Sequence, residues 1–290
     1  MLRLQQILPT PNGVQPSGTG SLNLPLGATY YTLGLDISDG TTQMTQAALD
    51  ARIKNIRLKL NGIQVRQYNT VSELININSM HGIPTKFGAA TGDTGARVVM
   101  YFAEPQRRTP FGEDVFAWKC YQALGINSFT LEFDVTSSAS ASINVQVFRE
   151  YSQFDSATVA QIANNGGFGN IIWHSSQLLP NDSAGLPTTS TLQRTAYTRI
   201  HAYAAEGVLA GAQVKVNDLV IRDFRTYAEY ADYMKQNQLT TIANWLTVPF
   251  DETNRYDELL DLRQANSFVM RYTTAAAGSI TLLLEELKGL

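Results

Sequence analysis

The chain has 290 residues, 44% of them hydrophobic, enough for one large core or two ordinary ones. Charged residues are only 16%, and 22 basic against 25 acidic side chains leave a net charge of −3 with no run of one sign, which argues against a nucleic-acid arm, a polybasic membrane anchor or an acidic tail. The single cysteine, Cys120, excludes an internal disulfide framework and any cysteine-based zinc site, no apolar run approaches the ~18 residues of a bilayer-spanning helix, and the first residues lack the apolar stretch of a signal peptide, so a soluble, globular, unprocessed chain is expected.

Met1 to Gly20 is punctuated by Pro9, Pro11, Gly13, Pro16, Gly18 and Gly20 and reads as an extended lead-in without periodicity. Strand-like spacing starts at Leu22 and continues through Leu24, Leu26, Tyr31, Leu33 and Leu35. Ile56, Leu58 and Leu60 then alternate with Arg57, Lys59 and Asn61, the period-two signature of a half-buried strand. Asn61-Gly62 is a strong hairpin signal, with Ile63-Gln64-Val65 as the returning strand. Thr70-Val-Ser-Glu73 fits a helix capping box ahead of Leu74, Ile75 and Ile77. Further on, Glu113–Leu124 reads as an amphipathic helix and Phe129, Leu131, Phe133 as a strand. A small-residue turn follows at Ser137–Ala141, and a strand runs from Ser142-Ile143 to Phe148.

The hairpin device returns 156 positions later. Leu58–Glu73 (LKLNGIQVRQYNTVSE) lies over Val214–Glu229 (VKVNDLVIRDFRTYAE) without a gap. Lys59/Lys215, Asn61/Asn217, Arg66/Arg222, Thr70/Thr226 and Glu73/Glu229 are identical, five of 16 positions. Unrelated segments would share about one. The rest of the second half follows suit. A helix is expected over Tyr256–Gln264, then Asn266-Ser267-Phe268 opens a strand as Asn127-Ser128-Phe129 does. Thr274–Gly278 turns, and Ser279-Ile280 to Leu284 closes. Many short strands separated by Gly, Asn and Ser turns indicate an all-β sandwich or jelly roll, and the repeat makes two such β-sandwiches in tandem, with short helices between strands. The expected division is an N-terminal extended segment (1–21), a first jelly roll (22–150), a linker (151–170) and a second jelly roll (171–290). A helix at Ala157–Asn164 falls in the linker and Ile171-Ile172-Trp173 forms the first strand of the second roll.

Chemistry-bearing residues are scattered. His81, His174 and His201 are far apart and in no metal-ligand spacing, with His81 in a loop and His201 on an outward sheet face. Cys120, among Phe116, Trp118, Tyr121 and Leu124 with no basic neighbour, reads as a buried packing thiol in a helical stretch. Gly166-Gly167-Phe168-Gly169 lacks the lysine and the strand–helix setting of a phosphate loop and reads as linker. The acidic group Asp251, Glu252, Asp257, Glu258 and Asp261 fails the EF-hand spacing and reads as the solvated face of a helix, with structural calcium as its second reading. Lys59/Lys215 and Arg66/Arg222 are expected on outward strand faces. No catalytic, cofactor-binding or metal-binding residue is nominated, and no direct nucleic-acid binding is expected.

Three segments carry a resemblance: Leu24-Pro-Leu-Gly27-Ala-Thr-Tyr30, Ile53-Lys-Asn-Ile-Arg-Leu-Lys-Leu-Asn-Gly62, and Ala123-Leu-Gly125 before the Phe129–Phe133 strand. In this order they resemble the double jelly-roll major capsid proteins of tailless icosahedral viruses. The likeness is to the corticovirus and autolykivirus-like type, from bacteriophages with an internal lipid membrane. The resemblance implies a major capsid protein of the virion, made in the host cytoplasm and without catalytic residues. It would form homotrimers that act as pseudo-hexagonal capsomers and tile a shell around an internal membrane. It also implies neighbouring trimers, minor capsid proteins and vertex proteins as partners, and membrane contact by Met1–Gly20. A carbohydrate-binding or glycan-cleaving tandem β-sandwich is the alternative. It would need aromatic residues and carboxylates on one loop cluster, and Trp118, Trp173 and Trp245 are dispersed in sequence.

Overall fold

The computed structural model describes residues 2–40, 43–87, 94–104, 114–181, 188–190, 192–252 and 258–290. The chain divides into two compact units, the first essentially residues up to 171 and the second residues 172–288.

The first unit contains nine described strands: β1 (Leu4–Ile7), β2 (Thr19–Asn23), β3 (Ala28–Ser38), β4 (Ile53–Leu60), β5 (Ile63–Thr70), β6 (Gly95–Tyr101), β7 (Trp118–Cys120), β8 (Phe129–Val135) and β9 (Asn144–Ser152). They form one sheet ordered β1-β9-β3-β6, with β7 also on β3, and a second ordered β2-β8-β4-β5. The neighbours β9-β3 and β8-β4 are far apart in sequence, as the wrapping of a jelly roll requires. Helices α1 (Gln46–Arg52), α2 (Val71–Met80) and α3 (Ser156–Asn164) lie in the connections. Thr45 caps α1 and Asp155 caps α3, each accepting a backbone amide from the third residue on.

The second unit repeats this strand for strand: β10 (Ile171–Leu179), β11 (Thr188–Ser190), β12 (Ala196–Tyr203), β13 (Leu209–Val216), β14 (Leu219–Phe224), β15 (Trp245–Pro249), β16 (Leu260–Asp261), β17 (Phe268–Thr274) and β18 (Ile280–Lys288). Its strands run β10-β18-β12-β15, with β16 also on β12, and β11-β17-β13-β14. Adding nine to each strand number of the first unit reproduces every pairing just given. Helix α4 (Tyr227–Gln236) stands where α2 stands.

Alternation explains why the strands bury one face. In β8, Phe129, Leu131, Phe133 and Val135 point inward, and Thr130, Glu132 and Asp134 point outward. Ile200, Ala202, Val214, Leu246, Val248, Met270, Tyr272, Leu282 and Leu284 form the second core in the same way. Gly34 of β3 is required by a close approach: a Cβ there would strike the ring of Phe148, its cross-strand partner, and Arg97 covers the same ring at 4.4 Å.

Several expectations are corrected. Glu113–Leu124 is not a helix beyond Asp114: Trp118–Cys120 is β7, paired with Ala28–Tyr30, and Gln122–Leu124 makes a 3-10 turn, closed by Gly125 at φ 85°. Trp118 and Cys120 are buried on either side of Lys119, a period of two that the wider apolar spacing masked. Tyr256–Gln264 is likewise not helical where described, because Leu260–Asp261 pairs with β12; residues 256 and 257 lie outside the described residues. The lead-in Met1–Gly20 contains β1, paired antiparallel with β9 from Leu4↔Tyr151 to Ile7↔Phe148. His201 is fully buried rather than on an outward face, and Arg66 is 3% exposed.

Candidate functional site

The repeated hairpin is built by the same contacts in both units. Asn61 and Gly62 have φ of 51° and 78°, Asn217 and Asp218 of 48° and 65°, the left-handed pair that a two-residue hairpin turn requires. The strand register slips at the same place in each, between Leu58 and Lys59 and between Val214 and Lys215. Each asparagine side chain then ties the turn to the strand that follows much later. Asn61 Oδ1 accepts the amides of Asn127 and Ser128 at 2.7 and 3.2 Å, and Asn217 Oδ1 accepts those of Asn266 and Ser267 at the same distances. This explains two sequence repeats at once, the Asn of the turn and the Asn-Ser-Phe word.

The capping boxes form with one adjustment. The amides of Glu73 and Glu229 donate to Thr70 and Thr226 at 3.3 and 3.2 Å. The returning carboxylates accept the amides of Asn69 and Arg225, one residue ahead of the cap. The tyrosine of the Leu24–Tyr30 segment closes its own loop by donating to the Pro25 carbonyl at 2.5 Å. Tyr197 donates to the Gln193 carbonyl at 2.8 Å in the second unit.

The remaining matched charges diverge. Arg66 is buried, donates to the Tyr101 carbonyl at 2.7 Å and lies 5.2 and 5.3 Å over the rings of Phe102 and Trp118. Its counterpart Arg222 is half-buried and pairs with Glu252. Lys59 binds Glu132 at 2.7 Å on the outward face of the first unit, beside an Arg57–Asp134 pair at 2.7 Å.

The densest polar group belongs to the second unit. Arg199 of β12 pairs with Asp251 and, at 2.8 Å, with Glu285 of β18. His201 Nε2 meets the other Glu285 oxygen at 3.1 Å, and its Nδ1 meets Thr247 Oγ1 at 2.9 Å. All four charged or titratable side chains are buried. Burial works against the Glu285 carboxylate, but Arg199, the His201 hydrogen bond and the fields of His201 and His174 hold it well below the usual carboxylate range. Two of the three histidines thus act on one carboxylate, whereas His81 sits in the turn after α2. General acid–base chemistry needs a group within reach of a substrate proton, and these groups are sealed against one another. They form a structural ion network.

Of the other chemistry-bearing residues, Cys120 is buried in β7, and burial pushes its thiol far up. Glu252 is held by Arg222 and the Tyr233 hydroxyl, and Asp261 by Arg263 at 2.6 Å, which with a backbone amide lowers its pKa to about 2. Asp251, Glu252 and Asp261 are therefore each held by an arginine, and Asp257 lies outside the described residues. Among the described residues no cluster of three His, Cys, Asp or Glu side chains could hold a metal ion. Trp118 is stacked in the first core on Phe102 at 4.2 Å, and Trp245 is stacked on Tyr203 at 4.9 Å, so they share no aromatic platform.

What the surface does carry is apolar side chains on strands. Leu4 and Ile7 of β1 are 38% and 65% exposed, Leu219 and Val220 of β14 are 68% and 42% exposed, and Leu2 just ahead of β1 is 76% exposed. Such side chains at a sheet margin mark contact surfaces rather than reaction centres.

The comparisons agree with this reading. No curated protein matches the chain by sequence. Among solved structures, the major capsid protein P2 from bacteriophage PM2 superposes with a TM-score of 0.81 at 17% identity, over 99% of this chain and 97% of that one. The STIV MCP gives 0.73 at 12% identity, over 99% and 97%. The Faustovirus major capsid protein gives 0.65 at 8% identity, over 99% and 90%. Residues 5–152 match the viral coat protein P2 N-terminal domain and residues 175–290 the viral coat protein P2 C-terminal domain. That family is structural and not an enzyme class. Both halves of the chain match it and the fold is that of a double jelly-roll capsid protein, so the chain belongs to the viral coat protein P2 family.

Proposed function

We propose that the chain trimerises into pseudo-hexagonal capsomers that tile an icosahedral shell around an internal lipid membrane. The observation that carries this is the strand-for-strand duplication. One chain supplies two equivalent lobes, the first built from β1 to β9 and the second from β10 to β18, and threefold rotation supplies six. Neighbouring trimers, minor capsid proteins and vertex proteins are the partners of such a tile. Of the segment Met1–Gly20, β1 is engaged with β9. Lipid contact therefore falls to the exposed Leu2 and its neighbours, weak for one copy and additive over a shell of many copies. The chain performs no catalysis, takes no cofactor and does not bind nucleic acid directly. The sealed ion network and the net charge of −3 support this.

Analytical ultracentrifugation of the purified protein at low and high salt is the test. A particle of three 31.9 kDa chains is expected under both conditions, because a charged fraction of 16% leaves few ion pairs to screen. A monomer at micromolar concentration in both salts, with no assembly on lipid vesicles, would refute it.

A further inference from the structure

A threefold ring cannot be closed by one patch meeting itself, since a self-complementary contact gives a twofold dimer. It needs two different patches on each chain, one meeting the other on the next copy. Two strands qualify. β1 ends the sheet β1-β9-β3-β6 and β14 ends the sheet β11-β17-β13-β14, so each has one row of backbone groups outside those sheets. All four residues of β1 are exposed, and five of the six residues of β14 are exposed or half-buried.

The same positions in the other unit look different. β10, which matches β1, buries Ile171, Ile172, His174 and Leu179; β5, which matches β14, buries Val65, Arg66 and Tyr68. In the fold these two positions are largely covered in their middle, although Ile63 of β5 and Leu178 of β10 stay exposed, whereas β1 and the start of β14 are open along their length. Their open side chains are also of the wrong kind for water. Leu2, Leu4 and Ile7 lie on or beside β1, and Leu219 and Val220 lie on β14. Among the described residues, none of the exposed large hydrophobics falls on β2, β6 or β15, which also end sheets. The run Leu4-Gln5-Gln6-Ile7 lacks the charge, proline or bulge that natural edge strands use to repel a neighbour.

We propose that β1 of one copy and β14 of a second copy lie side by side as neighbouring strands, with Leu4 and Ile7 covered against Leu219 and Val220, head to tail around the ring. This rests on the trimeric tile and specifies its contact.

The test uses the full chain with two paired variants, Leu4→Asp/Ile7→Asp and Leu219→Asp/Val220→Asp, and Ile63→Asp as control. Ile63 occupies the Leu219 position in the first unit and is 49% exposed. Thermal melts confirm that each variant folds, and multi-angle light scattering reads mass. Each paired variant alone is expected to fall from three chains to one. A 1:1 mixture is expected to form a heterodimer, because the first variant keeps a sound β14 and the second a sound β1. Ile63→Asp stays trimeric. Amide exchange at residues 4–7 and 219–224 should slow at least tenfold in the wild-type trimer relative to either variant.

A wild-type trimer with either paired variant still trimeric overturns the β1–β14 contact and leaves the tile intact. Variants that dimerise alone overturn the head-to-tail arrangement. A monomeric wild type overturns both the tile and this contact.

Discussion

The two jelly rolls share a frame and differ in what fills it. Both fasten the hairpin turn with an asparagine, cap the following helix with a threonine and close a loop with a tyrosine hydroxyl. Away from those points both units pack aromatic rings against one another, but around different residues. Phe129 meets Tyr30 at 5.1 Å and Trp118 at 5.4 Å, with Arg66 laid over Phe102 and Trp118. The second unit also buries Arg199, Asp251, Glu285 and His201 together, and the residue matching Phe129, Phe268, is only half-buried. The contacts that set chain direction are held in common, whereas those that only fill volume or neutralise charge have drifted. Position in the turn, not burial, decides which residues remain alike.

Substitutions should expose this division. The largest effects are unit-specific. Arg199→Met leaves two buried carboxylates without their cation and should destabilise the second unit by about 3–5 kcal/mol. Phe129→Ala should destabilise the first by a similar amount, about 3–5 kcal/mol, and Phe268→Ala the second by less than half of that. Calorimetry that resolves two transitions would assign each loss. A shift of the first unit by Arg199→Met would contradict the separation.

The shared contacts should give matched, smaller effects. Asn61→Ala and Asn217→Ala each remove two side-chain hydrogen bonds and a residue suited to positive φ, and each should cost about 1–3 kcal/mol. Thr70→Ala and Thr226→Ala should each cost about 1 kcal/mol by loss of the cap. Unequal values within either pair, read from chemical denaturation, would show that identical geometry hides different energetics.

Acid sharpens the comparison further. Glu285 in the second unit and Asp39 in the first are both held below their ordinary values of 4.5 and 3.8. Burial opposes the charge at each, and Arg199 with His201, or Ser140 with Arg52, overcomes it. A carboxyl depressed in the folded state contributes stability above its ordinary value, and that contribution is lost as pH falls through the folded value. Melting temperature should therefore hold down to about pH 5 and fall below about pH 4.5. Glu285→Gln should flatten that limb, and an unchanged slope would assign acid sensitivity elsewhere.

Local signals were legible and distant ones were not. Asn61-Gly62, the alternation of Ile56–Leu60 and both capping boxes are written within a few residues, because turn φ, pleat and cap are local physics. The apolar spacing around Cys120 and Trp118 mimics a helix because β7 is only three residues long and exists by pairing with Ala28–Tyr30, about ninety residues earlier. The ion network was invisible for the same reason: positions 199, 201, 251 and 285 converge only after β12 and β18 have paired and Asp251 has folded back. His201, set between Ile200 and Ala202, looked outward by alternation. It does lie on the opposite side of the strand from them, but that side is buried too.

The pairing of β1 with β9 also has a consequence in time. Gln6 and Arg149, which bond across it, are 143 residues apart. At a synthesis rate of about 5–20 residues per second, β1 waits roughly 7–30 s on the ribosome before its partner exists. Leu4 and Ile7 have no sheet to join in that interval. The first jelly roll is therefore completed only when its last strand emerges, and the nascent chain carries an unpaired β1 through about half of its own making.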